Sequence, residues 1–593
     1  MIKHIDPTKW TATDGLGRTL ECSNSISDTG IKKEKLVGMF YWTWHDQAHL
    51  TNRPININNL IKAHPELQND FNNPIWKDYE GFNFWNEPLF GYYARPDKYV
   101  LRKHAEMLAN AGVDFVLFDC TNGDFVWESA YMALLEVWDQ AQKEGVNVPK
   151  IAFMLQFVYT RHTLSALNKI YTQLYKPGLY KDLWFCMDGK PMVMAHNNGL
   201  NENDPVQKEL KDFFTFKAGE PSYFNGDKDN SEWGWLHIYP QAAYYKKDGT
   251  VEMTTVGVAQ NADYKDMRLC AMNGPANMGR SYTIQEEYSY TYNYGGENIV
   301  VNRNTPDCVC YGLNFQEQWD YAISLDPDII FVTGWNEWNM GRFEEWCEIK
   351  NAFPDQFDDE NSRDIEPVQG ILKDHYYYQL VNNVRRFKGV NKQEAQTSYK
   401  TIDISKGKEQ WEDPNIISYA YYAGNTPARD DDGFVGCHYV NEEGRNEIIL
   451  AKVACDENNV YFYAETAKTI TSEKDPDWMR LLIDTQPSGP NGADWEGFEY
   501  IINKDTPDGM NTKVFRSKGG WNWEEVGQAT YTVYENILQI SVPREVLGLT
   551  EKVAFSFKWC DANLTDGDIM SLYTHGSCTP GGRFAFSFSC EKI

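Results

Sequence analysis

Two rhythms divide the chain. From Val37 to about Gly389, short apolar runs alternate with helical patterns. The runs are VGMFYWTW (37–44), VDFVLFDC (113–120), KIAFMLQF (150–157), PMVMAHN (191–197), FFTFK (213–217), MTTVGVAQN (253–261) and DIIFVTGW (328–335), with an eighth expected near NAFPDQF (351–357). Between them lie DKYVLRKHAEMLANAG, SAYMALLEVWDQAQKEG and FQEQWDYAISLD, each with apolar residues at helical spacing. Near-continuous apolar strands separated by helices need a parallel sheet covered on both faces. Seven or eight such units predict a (β/α)8 barrel of the TIM type with long loops. No Gly-rich phosphate loop follows the first run, which counts against an open nucleotide-binding sheet.

After VNNVRRFKG the period shortens. NEIILAKVAC, NVYFYAETA, MRLLIDT, FEYIIN, KVFRS, ILQISVP, VAFSFKWC and FAFSFS read as short alternating strands. They predict an all-β antiparallel sandwich. The expected organisation is an extension over 1–36 packing on the barrel, a barrel over 37–395 and a sandwich over 396–593, with the polar stretch NKQEAQTSYK as linker.

Charge narrows the partners. Fifty-six basic against 85 acidic residues leave −29, a field that repels nucleic acid and disfavours an anionic lipid surface. No apolar window is long enough to span a membrane. MIKHIDPTKW has no apolar core of a signal peptide. The chain is expected to be cytoplasmic if Met1 is its native start and extracytoplasmic if a leader has been removed. Twelve cysteines fall without CxxC or Cys/His metal spacing, so buried free thiols are expected and no zinc. No cofactor is implied. Asp430-Asp431-Asp432 reads as a solvated loop, with a structural calcium as the alternative. Aromatic residues reach 15% of the chain, which fits either large cores or platforms for sugar rings. Oligomeric state is not legible.

Barrels of this kind carry their chemistry at the C-terminal ends of strands. The first run ends in Trp42, Trp44 and His45, the second in Asp119, the third near Gln156, the sixth in Asn261, and the seventh in Trp335-Asn336-Glu337-Trp338. Tyr239 and Arg280, in the stretches on either side of the sixth run, complete the candidate substrate-binding set. Paired carboxylates among indoles and amides are what glycosidic cleavage requires, one as acid and one as base or nucleophile. Asp119 and Glu337 are the candidates, though Asp119 also fits a structural cap.

The run TGWNEW resembles the Trp-Asn-Glu-Trp box of glycoside hydrolase family 99 and its family 71-like and WbsX-like relatives, as do GMFYWTWH and GVDFVLFDCTNG. The resemblance covers roughly 37–390. It implies a barrel glycosidase with Glu337 as first acid, and it adds Glu366 of Ile365-Glu366-Pro367 as a third candidate catalytic carboxylate. In that family a second Glu follows the first by three positions, where this chain has Met340. Glu344, Glu345, Asp355 or Asp119 are the alternatives for the vacant role. The C-terminal half resembles family 9 carbohydrate-binding modules and DOMON-like sandwiches, through DENNVYFYAET, WMRLLIDT, DWEGFEYIIN and FSFKW. Trp521 and Trp523, two apart, are expected to face one side as a sugar platform, while Trp478 and Trp495 read as core. The expected function is hydrolysis of glycosidic bonds in a polysaccharide or oligosaccharide. The alternatives are a glycan-binding protein on a degenerate barrel and, less well supported, a glycan-assembling transferase.

Overall fold

The structure is a computed structural model that describes residues 5–22, 30–45, 53–79, 81–94, 96–486, 492–551 and 553–590. The expected 1–36 extension therefore lies partly outside the described residues.

Eight parallel strands build the first half. They are β1 (Leu36–Tyr41), β2 (Phe115–Asp119), β3 (Lys150–Met154), β4 (Lys190–Met194), β5 (Thr215–Glu220), β6 (Glu232–Gly234), β7 (Val251–Gly257) and β8 (Ile329–Thr333). The hydrogen-bonded order is β6-β5-β4-β3-β2-β1-β8-β7. β6 then lies against β7, so the ring is nearly closed. The expected strand at 351–357 is a correction: Phe343–Trp346 and Ile349–Ala352 form a separate antiparallel hairpin. The missing barrel strand is β6, whose three residues are too few to leave a readable period.

Strand alternation separates the two faces. Phe40 and Trp42, Phe115 and Leu117, Ala152 and Met154, Met192 and Met194, Met253, and Ile329 and Phe331 share one cluster, the barrel interior. The intervening Met39, Val116, Phe118, Ile151, Phe153, Val193, Ile330 and Val332 belong to another, packed under the helices. Gly38 has no side chain because the Phe115 ring occupies that space; an added Cβ would lie 2.3 Å from it.

Helix α1 (Lys98–Ala111) starts on an Asp97 cap and stops at Gly112, which takes the left-handed conformation at φ 78°. α2 (Glu128–Lys143), α3 (Arg161–Ile170), α4 (Pro205–Phe213), α5 (Leu313–Ser324) and α6 (His375–Lys388) follow, α3 opening on a Thr160/Thr163 capping box.

The second half holds β9 (Ile417–Ala420), β10 (Ile448–Cys455), β11 (Asn459–Thr466), β12 (Arg480–Asp484), β13 (Tyr500–Ile502), β14 (Asn511–Ser517), β15 (Trp523–Tyr534), β16 (Ile537–Pro543), β17 (Val553–Asp561), β18 (Ser577–Thr579) and β19 (Phe586–Cys590). All join one antiparallel sheet in the order β9-β10-β11-β16-β15-β14-β13-β12-β17-β18, with β19 also on β17. β18 returns beside β10, so the sheet curls into a barrel-like form. This corrects the expected sandwich. A rolled sheet and two stacked sheets both bury one face of every strand, so the alternating pattern is the same for both.

Polar contacts knit the halves. Asp374, at the start of α6, accepts from Arg583 Nε at 2.6 Å and from the Tyr573 hydroxyl at 2.9 Å. Arg429 pairs with Asp97 at 2.6 Å, and Tyr422 donates to Asn110 Oδ1 at 2.8 Å. The N-terminal segment touches both halves: Trp10 packs on Tyr421, Phe584 and Phe586, while Arg385 of α6 donates to the Pro7 carbonyl.

Candidate active site

The interior parity of β2 and β3 continues to Asp119 and Gln156, and that of β4 to His196, at the C-terminal rim. Trp42 closes the β1 side of the same layer. Gly219 on β5 leaves room for the Phe157 ring, where a Cβ would lie 2.4 Å from it. Phe157 stacks near Trp235 at 6.1 Å, and Tyr223 meets Trp235 edge-on at 5.8 Å. Trp42, Trp44 and Trp127 form a run of rings at 4.2 and 5.1 Å.

Glu337 enters from the loop after β8. Its Oε2 receives Arg363 Nη2 at 2.8 Å and Gln356 Nε2 at 3.2 Å. Its backbone N–H donates to Asp364 Oδ1 at 2.7 Å. Arg363 is 1% exposed, donates from Nη1 to Asn261 Oδ1 at 3.2 Å and lies over the Trp235 ring. Asp355 Oδ1 stands 3.8 Å from the same Nη2. Carboxylate oxygens of Glu337 and Asp355 are therefore at most about 7 Å apart, which does not exceed the roughly 9.5 Å upper separation of paired carboxylates that cleave glycosides.

Burial drives the electrostatics. It pushes the Glu337 carboxyl upward, against the pull of Arg363, with Asp355 and Asp364 adding to the rise. Burial likewise lifts Asp119 to about 6 and Asp364 to about 6. Asp119 feels both Asp355 and Arg363, which places it on the same cluster. Asp355 is also raised by surrounding protein, yet 44% of its side chain stays open, so solvent tempers that effect. Several carboxylates face one guanidinium. They cannot all ionise together, so the cluster holds protons beside negative charge and can both give and take them.

The other expected residues divide. Trp44 belongs to the rim, its Nε1 donating to the Asp119 carbonyl at 3.0 Å. Gln156 accepts from the Thr160 and Thr163 hydroxyls at the start of α3, and Asn261 holds Arg363. His45 is sealed against Tyr93, its pKa lowered to about 3 by burial and by His104.

Six expected site residues are corrected. Glu366 does not face the cleft: its oxygens take Tyr93 OH at 2.8 Å, Trp338 Nε1 at 2.7 Å and His104 Nε2 at 3.0 Å, in full burial. Trp335 and Trp338 are core rather than platforms, Trp338 stacked on Trp85 at 4.9 Å and Trp335 edge-on to His104. Asn336 spends its amide on Trp42, accepting from its N–H at 2.9 Å and donating to its carbonyl at 3.2 Å. Arg280 lies behind the site, over Tyr376, donating to the Asp364 carbonyl. Tyr239 packs against Tyr321 of α5, on the helical layer.

Of the alternatives for the vacant second acid, Glu344 and Glu345 lie exposed on the hairpin, and Asp355 reaches the cluster. Met340 is buried, bridged to Asn83. In the second half, Trp521 and Trp523 sit 5.4 Å apart but cross at 89°, so they share no flat platform. Trp478 and Trp495 are buried. Asp430 and Asp432 flank His438 at 3.1 and 2.8 Å. No group of three or more His, Cys, Asp or Glu able to hold a metal occurs among the described residues.

Sequence reasoning missed Arg363, Gln356, Tyr223, Trp235, His196 and Trp127. An arginine two positions before the Ile-Glu-Pro run was the available signal. His196 was visible as the next interior position after Met194. A cleft of about 660 Å³ also lies away from this rim, between Tyr99 and Gln369 of the first half and Tyr439, Asn563 and His575 of the second.

The fold and the cluster together define a barrel with buried carboxylates gathered around one arginine at its rim. No family model and no curated protein matches the sequence. Two solved structures of the family 99 endo-alpha-mannosidase from Bacteroides thetaiotaomicron are similar to part of it. The one in complex with bis-tris-propane shares 13% identity at a TM-score of 0.31, covering 59% of this chain and 96% of that one. The other shares 14% at 0.29, covering 59% and 97%.

Proposed function

We propose that this chain is a glycoside hydrolase that cleaves a polysaccharide or oligosaccharide by carboxylate acid–base chemistry at the barrel rim. The observation that carries this reading is the cluster of Glu337, Asp355 and Asp119 around Arg363, beside indole and phenyl rings. Burial outweighs the pull of Arg363 and raises the Glu337 carboxyl, and once its proton has left the cluster Arg363 stabilises the carboxylate as base or nucleophile. Asp355 opens to the cleft and suits exchange of a proton with the leaving oxygen. Asp119, lifted to about 6 by burial, holds a further proton in the cluster below about pH 6. Trp42, Trp44 and Trp235 supply apolar ring surface for sugar faces.

The test is release of reducing ends from a panel of plant, algal and microbial polysaccharides. Glu337→Gln keeps shape and removes charge, so turnover should fall by at least about 10³ with the chain still folded. Activity within a few-fold of wild type would remove Glu337 from the mechanism. A chain that binds glycan and releases nothing would favour the second reading, a binding protein on a barrel scaffold, which Met340 at the family's second-acid position supports.

A further inference from the structure

Two cysteines lie together at the seam of the second half. Cys455 ends β10 and Cys590 ends β19. One residue fixes both backbones. The Gln396 N–H donates to the Ser589 carbonyl at 2.8 Å, and Gln396 forms a parallel bridge with Cys590. Its side chain accepts from the Cys455 N–H at 3.2 Å and donates to the Cys455 carbonyl at 3.0 Å. The Gln396 amide nitrogen also reaches Cys455 Sγ at 3.8 Å, and the Cys590 side chain beside it raises the pKa of that thiol. Cys455 is buried, whereas Cys590 is partly open to solvent.

A second pair, Cys560 and Cys578, stands directly opposite across β17 and β18. It differs in access and in partner. Both its thiols are buried, and Cys578 Sγ receives the Lys558 ammonium at 3.1 Å. A reagent therefore reaches Cys590 first.

We infer that Cys455 and Cys590 are a disulfide-forming pair, oxidised by a low-molecular-weight disulfide such as oxidised glutathione, that ties the last strand to β10. The Cys590 thiolate attacks one glutathione sulfur, the glutathione S–S bond breaks, and one glutathione thiolate leaves. Cys455 then gives its proton to solvent and attacks the Cys590 sulfur, expelling the second glutathione. Two protein thiols are oxidised and one glutathione disulfide is reduced to two thiols. Burial and the neighbouring Cys590 raise the Cys455 pKa, so the second step is the slow one.

The experiment exposes the full reduced chain to oxidised glutathione, quenches with an alkylating agent, and maps peptides without reduction. The expected result is one peptide pair joining Cys455 to Cys590, lighter by two hydrogens, with two thiols lost per chain. Cys455→Ser should stop at a glutathione adduct on Cys590. A wild-type chain that stays reduced, stops at that adduct, or links other cysteines overturns the assignment. The wild-type map decides the matter even if the variant does not fold.

Discussion

Asp374→Ala should loosen the junction of the two halves. Asp374 and Arg583 are 0% and 2% exposed in their side chains, and the Tyr573 hydroxyl shares the same oxygen. Removing the carboxylate leaves a buried guanidinium with Glu496 as its remaining acidic partner and a phenol with one fewer acceptor. Breaking one side of such a pair costs about 3–5 kcal/mol, which corresponds to a drop of roughly 5–15 °C in melting temperature. The pH dependence gives a second reading. Burial raises the Asp374 pKa, but Arg583 and His375 outweigh it and the net shift is downward. A depressed folded pKa stabilises above the unfolded value of about 3.9 and is lost as pH falls through the folded one. The gap between wild type and variant should hold from neutral pH to about pH 5 and narrow below about pH 4. Scanning calorimetry across that range is the assay. A gap under about 2 °C at pH 7 would refute the coupling.

Asp119→Asn should stabilise the chain at neutral pH, because a folded pKa of about 6 means ionisation there works against the fold. The gain is about 3 kcal/mol above pH 6 and vanishes below about pH 4, read from urea melts at two pH values. Glu366→Gln should lower the melting temperature by several degrees while leaving turnover within about tenfold of wild type, the reverse of Glu337→Gln. Larger loss at unchanged stability would return Glu366 to the cleft. Arg363→Met should move the acidic limb of the rate profile upward by about one to three pH units, since Glu337 and Asp355 lose their cation; an unmoved limb would mean that neither carboxylate acts ionised. A chain ending near residue 395 loses the Arg583, Arg429 and Tyr422 contacts and should unfold at least about 5 °C below the full chain.

The barrel was legible because its strands are buried on both faces and leave unbroken apolar runs. β6 was not, being three residues long. Glu337 and Asp119 could be placed because strand direction puts both ends on one rim. Position in a motif does not tell which way a side chain points, however. Glu337 turns into the cluster while Trp338, its neighbour, turns back onto Trp85, and Glu366 follows Trp338 inward. The cation that tunes the site arrives through residues 341–364, a stretch with no period to read. Alternation likewise gave the antiparallel strands of the second half but not the continuous ladder that rolls them together, since pairing between distant strands leaves no local trace.

That excursion after the Trp-Asn-Glu-Trp box anchors itself largely apart from the strands. Asn351 donates to the Leu67 carbonyl at 2.8 Å, Arg342 lies over Phe71 and Trp76, and Phe353 donates its N–H to Asn273. Gln356, Asp355 and Arg363 ride on it. The groups that tune Glu337 and the scaffold that presents it are thus carried on separable stretches of chain. Selection, or a protein engineer, can exchange the excursion as a cassette and retune acidity and substrate fit, with the β-ring beneath left untouched.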